Sequence, residues 1–228
     1  MTAFPSTSAG YPVSYDVPRP ERYNRWTVAF RLILAIPQLI LFGGFGSNYV
    51  FSRAGGRVGP FAGYFFSGGV LSAVLGILVF LAWFAILFTA VFPSGMQDFC
   101  LKLFRWERNV HAYMALLTDP YPPFSGDQPY PVRLAVEPVT RHKRLTVAFR
   151  LILAIPHFIV LFFLGIAQNI ITVIAWFAIL FTGQYPEGMF KFSVGVERWS
   201  ARVRGYTLLF VDEYPPFSLE AEPNLGME

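Results

Sequence analysis

Charge and cysteine are scarce in this sequence. Only 14% of its 228 residues are charged, against about 25% in ordinary globular domains. The single Cys100 excludes an intrachain disulfide and a thiolate metal cluster. Three histidines (His111, His142 and His157) are too few and too scattered for a His-rich site. There is no H-E-x-x-H, no G-x-S-x-G and no Gly-rich phosphate loop beside a strand. The expectation is therefore a protein without catalytic residues and without a cofactor. Residues 1–25 are polar and Pro-rich and lack an apolar signal-peptide core, so the first helix would act as its own insertion signal. The net charge of +4 comes from basic residues scattered around apolar stretches, with no continuous patch, which argues against nucleic-acid binding.

Hydrophobic residues, by contrast, make up 54% of the chain and are bunched. They also repeat. The string T-V-A-F-R-L-I-L-A-I-P stands at Thr27–Pro37 and again at Thr146–Pro156, an offset of 119. Ala82–Thr89 returns as Ala175–Thr182, and Tyr121–Ser125 as Tyr214–Ser218, both at an offset of 93. The chain is an internal duplication whose first copy carries 26 extra residues, placed at the Gly/Phe/Ser-rich stretch Gly43–Gly69. The expected organisation is a disordered tail at 1–10 and a first repeat at 11–125 with its insertion at about 43–69. A linker at 126–129 leads to a second repeat at 130–218, and a C-terminal tail occupies 219–228.

Four apolar stretches suggest four transmembrane helices: Trp26–Gly44, Gly69–Phe92, Leu145–Leu164 and Ile166–Thr182. About 20 residues are needed to cross a hydrocarbon core, and about 17 is the lower limit. The fourth is marginal, and the turn at Gly165–Asn169 is very short, so the last two could instead form a shallow re-entrant hairpin. Of the 18 Lys and Arg, fourteen fall on one side of this arrangement, two (Arg53 and Arg57) on the other, and two (Arg31 and Arg150) inside spans. By the positive-inside rule the termini and the middle segment are cytoplasmic, and the insertion is external. Units of two spans share an orientation, so the repeats should be parallel, related by a pseudo-twofold axis along the membrane normal.

Each pair of spans precedes an amphipathic segment, Gly95–Val110 and Gly188–Val203, with Trp and Phe on one face and basic residues on the other. That pattern suits a helix in the headgroup plane, or one packed on the chain's own cytoplasmic sheet. Cys100 lies on the apolar stripe and reads as a small buried hydrophobe. Period-two alternation at Tyr11–Val17 and Tyr130–Val136 predicts strands, and Tyr113–Thr118 and Tyr206–Val211 also suit strands. The fold class expected is thus an α-helical integral membrane protein. Its four transmembrane helices form two parallel repeats, each followed by an interfacial amphipathic helix, with a small cytoplasmic β-layer.

Several residues stand out. Arg31 and Arg150 fall one turn into their spans, where they would snorkel to lipid headgroups or ligate a lipid phosphate. Arg105 and Arg198, each followed by Trp, would contact headgroups as well. Pro37 and Pro156 precede the intramembrane polar residues Gln38 and His157, expected to bond a neighbouring helix or freed backbone. A haem or pigment ligand at His157 is the sharper alternative, against which Gln38 at the matching position argues. Gly68, Ser72 and Gly76 form a small-residue stripe suited to close helix packing.

The repeated strings, the Arg-Trp pairs (Arg105-Trp106, Arg198-Trp199) and the D-x-Y-P-P-F-S segments resemble a bacterial membrane-protein family known only as a domain of unknown function. That family is common in actinobacteria and their relatives and often occurs in two copies. The resemblance covers nearly the whole chain except the tail and insertion. It implies a bacterial inner-membrane location, multi-pass with cytoplasmic termini, and brings no activity, cofactor or catalytic residue. The functional expectation is a non-catalytic accessory or scaffold subunit that packs against a protein partner and holds anionic membrane lipids. A small lipid-binding or transport protein and a His157-ligated cofactor subunit are the alternatives.

Overall fold

The structure is a computed structural model that describes residues 10–42 and 69–221. The insertion up to Gly68, the first nine residues and residues 222–228 lie outside the described residues, and so do the expectations placed on them. In chain order the elements are β1 (Val13–Asp16), α1 (Arg25–Ala29), α2 (Arg31–Leu34), α3 (Ile36–Phe42), α4 (Val70–Thr89) and α5 (Ser94–Met114). They are followed by β2 (Arg133–Val136), α6 (Arg144–Thr182) and α7 (Glu187–Thr207).

Two of these helices, α4 and α6, are long and apolar enough to cross a membrane. Four spans are expected from the sequence, but of those stretches the second alone forms a separate helix that meets this measure. The third and fourth stretches are a single helix of 39 residues, and Gly165–Asn169 is helical instead of a turn. The physical reason is that Gly165 is a lone glycine with strong helix formers around it. A single glycine costs a helix about 1 kcal/mol, which neighbouring packing readily outweighs. Pro156 also sits within α6 without ending it. The first stretch is described as three short helices, α1–α3.

The seam between α3 and α4 corresponds to the middle of α6. Ser72 Oγ donates to the Phe42 carbonyl at 2.9 Å. At the two repeat offsets these residues match Gly165 and Leu161, which stand four apart in α6. A hydroxyl thus meets the carbonyl that a backbone N–H serves in the uninterrupted copy. Ser72 is buried there, and Gly76 is half-buried on the next turn. Ser72 therefore packs on the chain's own α3, while Gly68 lies outside the described residues.

The two repeats meet as equals. β1 and β2 pair antiparallel, with Tyr15 opposite Leu134, its counterpart at the offset of 119. Pairing a residue with its own equivalent places a local twofold axis at that point, as parallel repeats require. The rest of the molecule reciprocates. Trp83 Nε1 donates to the Val147 carbonyl at 3.1 Å, and its equivalent Trp176 donates to Val28 at 3.0 Å. The His142 N–H reaches the Ala90 carbonyl at 2.8 Å, and the Tyr23 N–H reaches Gly183 at 3.0 Å. The end of α4 therefore lies at the start of α6, and the end of α6 at the start of α1. Both ends close with a left-handed residue, Gly183 (φ 75°) and Ala90 (φ 62°).

The amphipathic segments are α5 and α7, and α7 is not interfacial. Every residue from Ser193 to Thr207 is buried. β1 lies against it so closely that a Cβ on Gly205 would meet Val13 Cγ2 at 2.9 Å. The basic face that suggested headgroups is turned to the protein itself. Arg198 donates to the Tyr15 and Leu219 carbonyls, both at 2.9 Å, and to Asp16 at 3.1 Å. Arg202 donates to the Ser218 and Glu220 carbonyls. Packing on the chain's own sheet is thus the arrangement found for α7.

The strands expected at Tyr113–Thr118 and Tyr206–Val211 are helix ends. In α5 the Leu116 N–H bonds the Tyr113 carbonyl, and the Leu117 N–H bonds Ala112, with Leu116 left-handed at φ 62°. The same two bonds recur around Leu209 (φ 67°) after α7. This closure usually carries glycine. With leucine in its place the stop was invisible, and the β-branched and aromatic residues nearby suggested strands.

Candidate functional site: two arginine clasps

Arg31 and Arg150 are the centres of two matching clusters. Their side chains are only 3% and 1% exposed, so neither guanidinium is at a headgroup surface. Arg150 Nη1 donates to the Tyr206 carbonyl at 3.0 Å, and Nη2 donates to Asp212 Oδ1 at 2.5 Å. Arg31 Nη1 donates to the Tyr113 and Thr118 carbonyls at 2.7 and 2.9 Å, and Nη2 to Asp119 at 3.2 Å. Each guanidinium also lies over a tyrosine ring, 4.2 Å from Tyr113 for Arg31 and 4.5 Å from Tyr206 for Arg150. The cation thus meets the C-terminus of α5 or α7, where the helix dipole is negative and free carbonyls remain.

The aspartates complete the clasps. Asp119 accepts from the Asn24 N–H and the Thr27 hydroxyl, and Asp212 from the Lys143 N–H and His142 Nδ1. In each clasp one carboxylate therefore bonds the backbone just before a helix, α1 or α6, and pairs an arginine seven residues farther along the chain (24 to 31 and 143 to 150). Burial raises the Asp212 pKa, but the bonds from His142, the Lys143 N–H and Arg150 outweigh it and bring the group down to about 2. A carboxyl whose folded pKa is depressed adds stability above its ordinary value of 3.8 and loses it as pH falls through about 2. We expect acidification from about pH 4 to about pH 2 to remove of order 2 kcal/mol from the wild type. An Asp212→Asn variant should lack this component of the pH dependence. Melting temperature against pH measures both.

Gln38 and His157 hold the second matched pair of contacts. Trp106 Nε1 donates to Gln38 Oε1 at 3.0 Å, and Trp199 Nε1 donates to His157 Nδ1 at 3.1 Å. Gln38 passes its own N–H to the Pro122 carbonyl at 3.0 Å. The His157 ring stacks on Phe217, with centroids 3.9 Å apart, and its Nε2 has no hydrogen-bond partner. Nδ1 is the indole's acceptor, so one of the two nitrogens a metal could use is occupied. Among the described residues no group of three or more His, Cys, Asp or Glu side chains is arranged to hold a metal.

Sequence reasoning missed an ionic cluster between α5 and α7. Arg108 approaches Glu197 at 3.3 Å and Glu107 at 3.5 Å, and Arg204 approaches Glu107 at 3.4 Å, with all four side chains at most 6% exposed. Burial raises the Glu197 pKa, whereas for Glu107 the same burial is outweighed by Arg204 and Arg108, which hold it low. Arg105, the first-repeat counterpart of Arg198, is half-buried on α5. Cys100 is fully buried and burial pushes its thiol up to about 11, so it packs as a hydrophobe. The arrangement can hold elements together. Among the described residues the acids and bases of the cluster pair with one another.

No curated protein and no solved structure matches the chain. A family described as a domain of unknown function, DUF4389, matches residues 63–126 and 144–218. The two segments take in α4–α5 with the first Asp-containing loop, and α6–α7 with the second, so the family unit occurs here twice. The second segment holds both Arg150 and Asp212, whereas Arg31 lies outside the first. The matches cover more than half of the sequence, and the chain belongs to the DUF4389 family.

Proposed function

We propose that the chain is a membrane-embedded protein of a bacterial inner membrane, and that it acts as a non-catalytic accessory or scaffold subunit. The observation that carries this reading is an inside-out distribution of polarity on the long helices. Their large apolar side chains project outward, with Phe88 76%, Leu145 77% and Phe181 78% exposed. The polar side chains Ser72, Arg150, His157 and Gln168 of these helices, and Arg31 and Gln38 of the short α2 and α3, are turned inward and buried. Water would penalise so much exposed apolar surface, and lipid would not. Arg31 and Arg150 serve the clasps, Gln38 and His157 the indole contacts, and Ser72 the α3–α4 seam, which gives them a role in positioning helices.

Lipid at the cytoplasmic face and a protein partner in the membrane are the binding classes this reading implies. The test is alkaline carbonate extraction of membranes from an expressing bacterium, then purification in nanodiscs with mass spectrometry of co-purifying chains. The chain should stay in the extracted membrane and bring a stoichiometric partner. Release into the supernatant would overturn the membrane assignment. A clean, partner-free monomer would overturn the accessory role.

A further inference from the structure

We infer that α6 does not cross the bilayer but lies along it within one leaflet, both ends on the cytoplasmic face, its exposed side occupied by acyl chains. This inference rests on the membrane assignment proposed above.

Length comes first. Thirty-nine helical residues extend about 58 Å at about 1.5 Å per residue, nearly twice a hydrocarbon core of about 30 Å. Residues 151–182 contain no Asp, Glu, Lys or Arg, so no polar half is available to stand in water. Fitting the whole helix across the core would need a tilt of about 60°, beyond the range of about 0–40° seen in crossing helices. Exposed apolar side chains also run the full length, from Phe149 (56%) through Phe163 (63%) to Phe181 (78%). An upright helix would leave part of that series in water.

Charge then fixes the two ends. Arg141, Lys143 and Arg144 are exposed at the start of α6. At its other end stand Arg19, Arg22 and Arg25, also exposed. Arg25 Nε lies 3.6 Å and Arg22 Cγ 3.8 Å from where a Cβ on Gly183 would be. Clustered basic residues flanking an apolar helix prefer the cytoplasmic side. Here that preference applies equally to both ends of one continuous helix, which a crossing cannot satisfy.

The position of α7 agrees. It packs on α6 through Trp199 at His157 and Tyr206 at Arg150. In an upright arrangement this contact would carry the charges of Arg198, Arg202 and Arg204 to hydrocarbon depth, which is costly. With α6 in the plane, α7 lies above it on the cytoplasmic side, and only the uncovered face enters lipid, as for interfacial helices immersed by about 5–10 Å. The twofold axis through Tyr15 and Leu134 then stands along the membrane normal, and the first repeat lies antiparallel beside α6.

The test uses the full chain in a Cys100→Ser background, with single cysteines placed at the exposed ends of α6 by Arg144→Cys and Gln184→Cys. An Arg141→Cys variant provides a second probe of the start. Right-side-out and inverted membrane vesicles are treated with a membrane-impermeant maleimide. Both ends should label in inverted vesicles and be protected in right-side-out ones. Labelling of the two ends from opposite sides would overturn the inference while leaving the membrane assignment standing. A chain that fails to sediment with the vesicles would overturn both. Independently, a spin label at Phe163 should report a shallow position in one leaflet by its collision rates with oxygen and a polar nickel chelate. A label at the bilayer midplane would overturn the in-plane arrangement.

Discussion

Replacing Arg150 with Met is expected to destabilise the protein by about 3–5 kcal/mol, the cost of leaving one partner of a buried ion pair alone. Methionine keeps most of the aliphatic stem, so the loss reports the guanidinium more than a cavity. Three interactions go at once: the bond to Asp212, the bond to the Tyr206 carbonyl and the contact with the Tyr206 ring. Denaturant unfolding in a fixed detergent, followed by tryptophan fluorescence, measures the effect. The equivalent Arg31→Met should cost less, because the Asp119 side chain is 25% exposed while that of Asp212 is 10% exposed. Water can then solvate the abandoned carboxylate. A double variant, Arg150→Met with Asp212→Asn, should lose clearly less than the sum of its single changes, since the two residues interact directly. Additive losses would show that Arg150 acts elsewhere, as a lipid-phosphate contact would.

The second large effect is expected at Trp199. Its side chain is 5% exposed and packs with Ala154, Phe158, Leu161 and Val203. Trp199→Ala should cost about 3–5 kcal/mol, the usual range for removing a buried aromatic side chain. Its acceptor separates a structural role from a cofactor role. His157→Gln should cost less than about 1.5 kcal/mol, because glutamine can accept the indole N–H as Gln38 does for Trp106. His157→Leu should cost about 1–3 kcal/mol more than that, since the buried indole donor is left without a partner. Were His157 a haem or pigment ligand, glutamine and leucine would be equally damaging, and an absorption band in the purified wild type would vanish in both. Unfolding curves and the visible spectrum of the three proteins decide between the two.

The sequence was most informative where it repeated. The duplication, the offset of 119 and the change to 93 implied two equivalent units, and the β1–β2 register bears this out by pairing Tyr15 with Leu134. Matching polar residues at matching places, Gln38 with His157 and Arg31 with Arg150, stood out before any contact was visible. Their partners were harder to see. Asp119 and Asp212 stand 88 and 62 residues from the arginines they bind, and no local pattern joins residues so far apart. A signal was nonetheless present: each arginine and each aspartate lies in a string kept in both copies, and opposite charges kept twice in an apolar chain invite pairing. The α5–α7 ion cluster carried no such signal. Glu107 and Arg108 correspond to Ser200 and Ala201 in the second copy, so the duplication hid the cluster.

Composition and periodicity alone determined that this chain is helical, duplicated, poor in charge and built around long apolar stretches. Those properties belong to single residues and their spacing, and they survive whatever the helices pack against. Tertiary structure decided whether two neighbouring apolar stretches are two helices or one, because hydropathy is the same for a helix that turns at Gly165 and one that continues through it. It also decided the destination of the basic residues. An arginine beside an apolar stripe has the same sequence signature whether its cation meets a lipid phosphate or an aspartate folded back from the far end of the repeat. The choice rests on which anion lies within about 3 Å, and only the folded chain sets that distance.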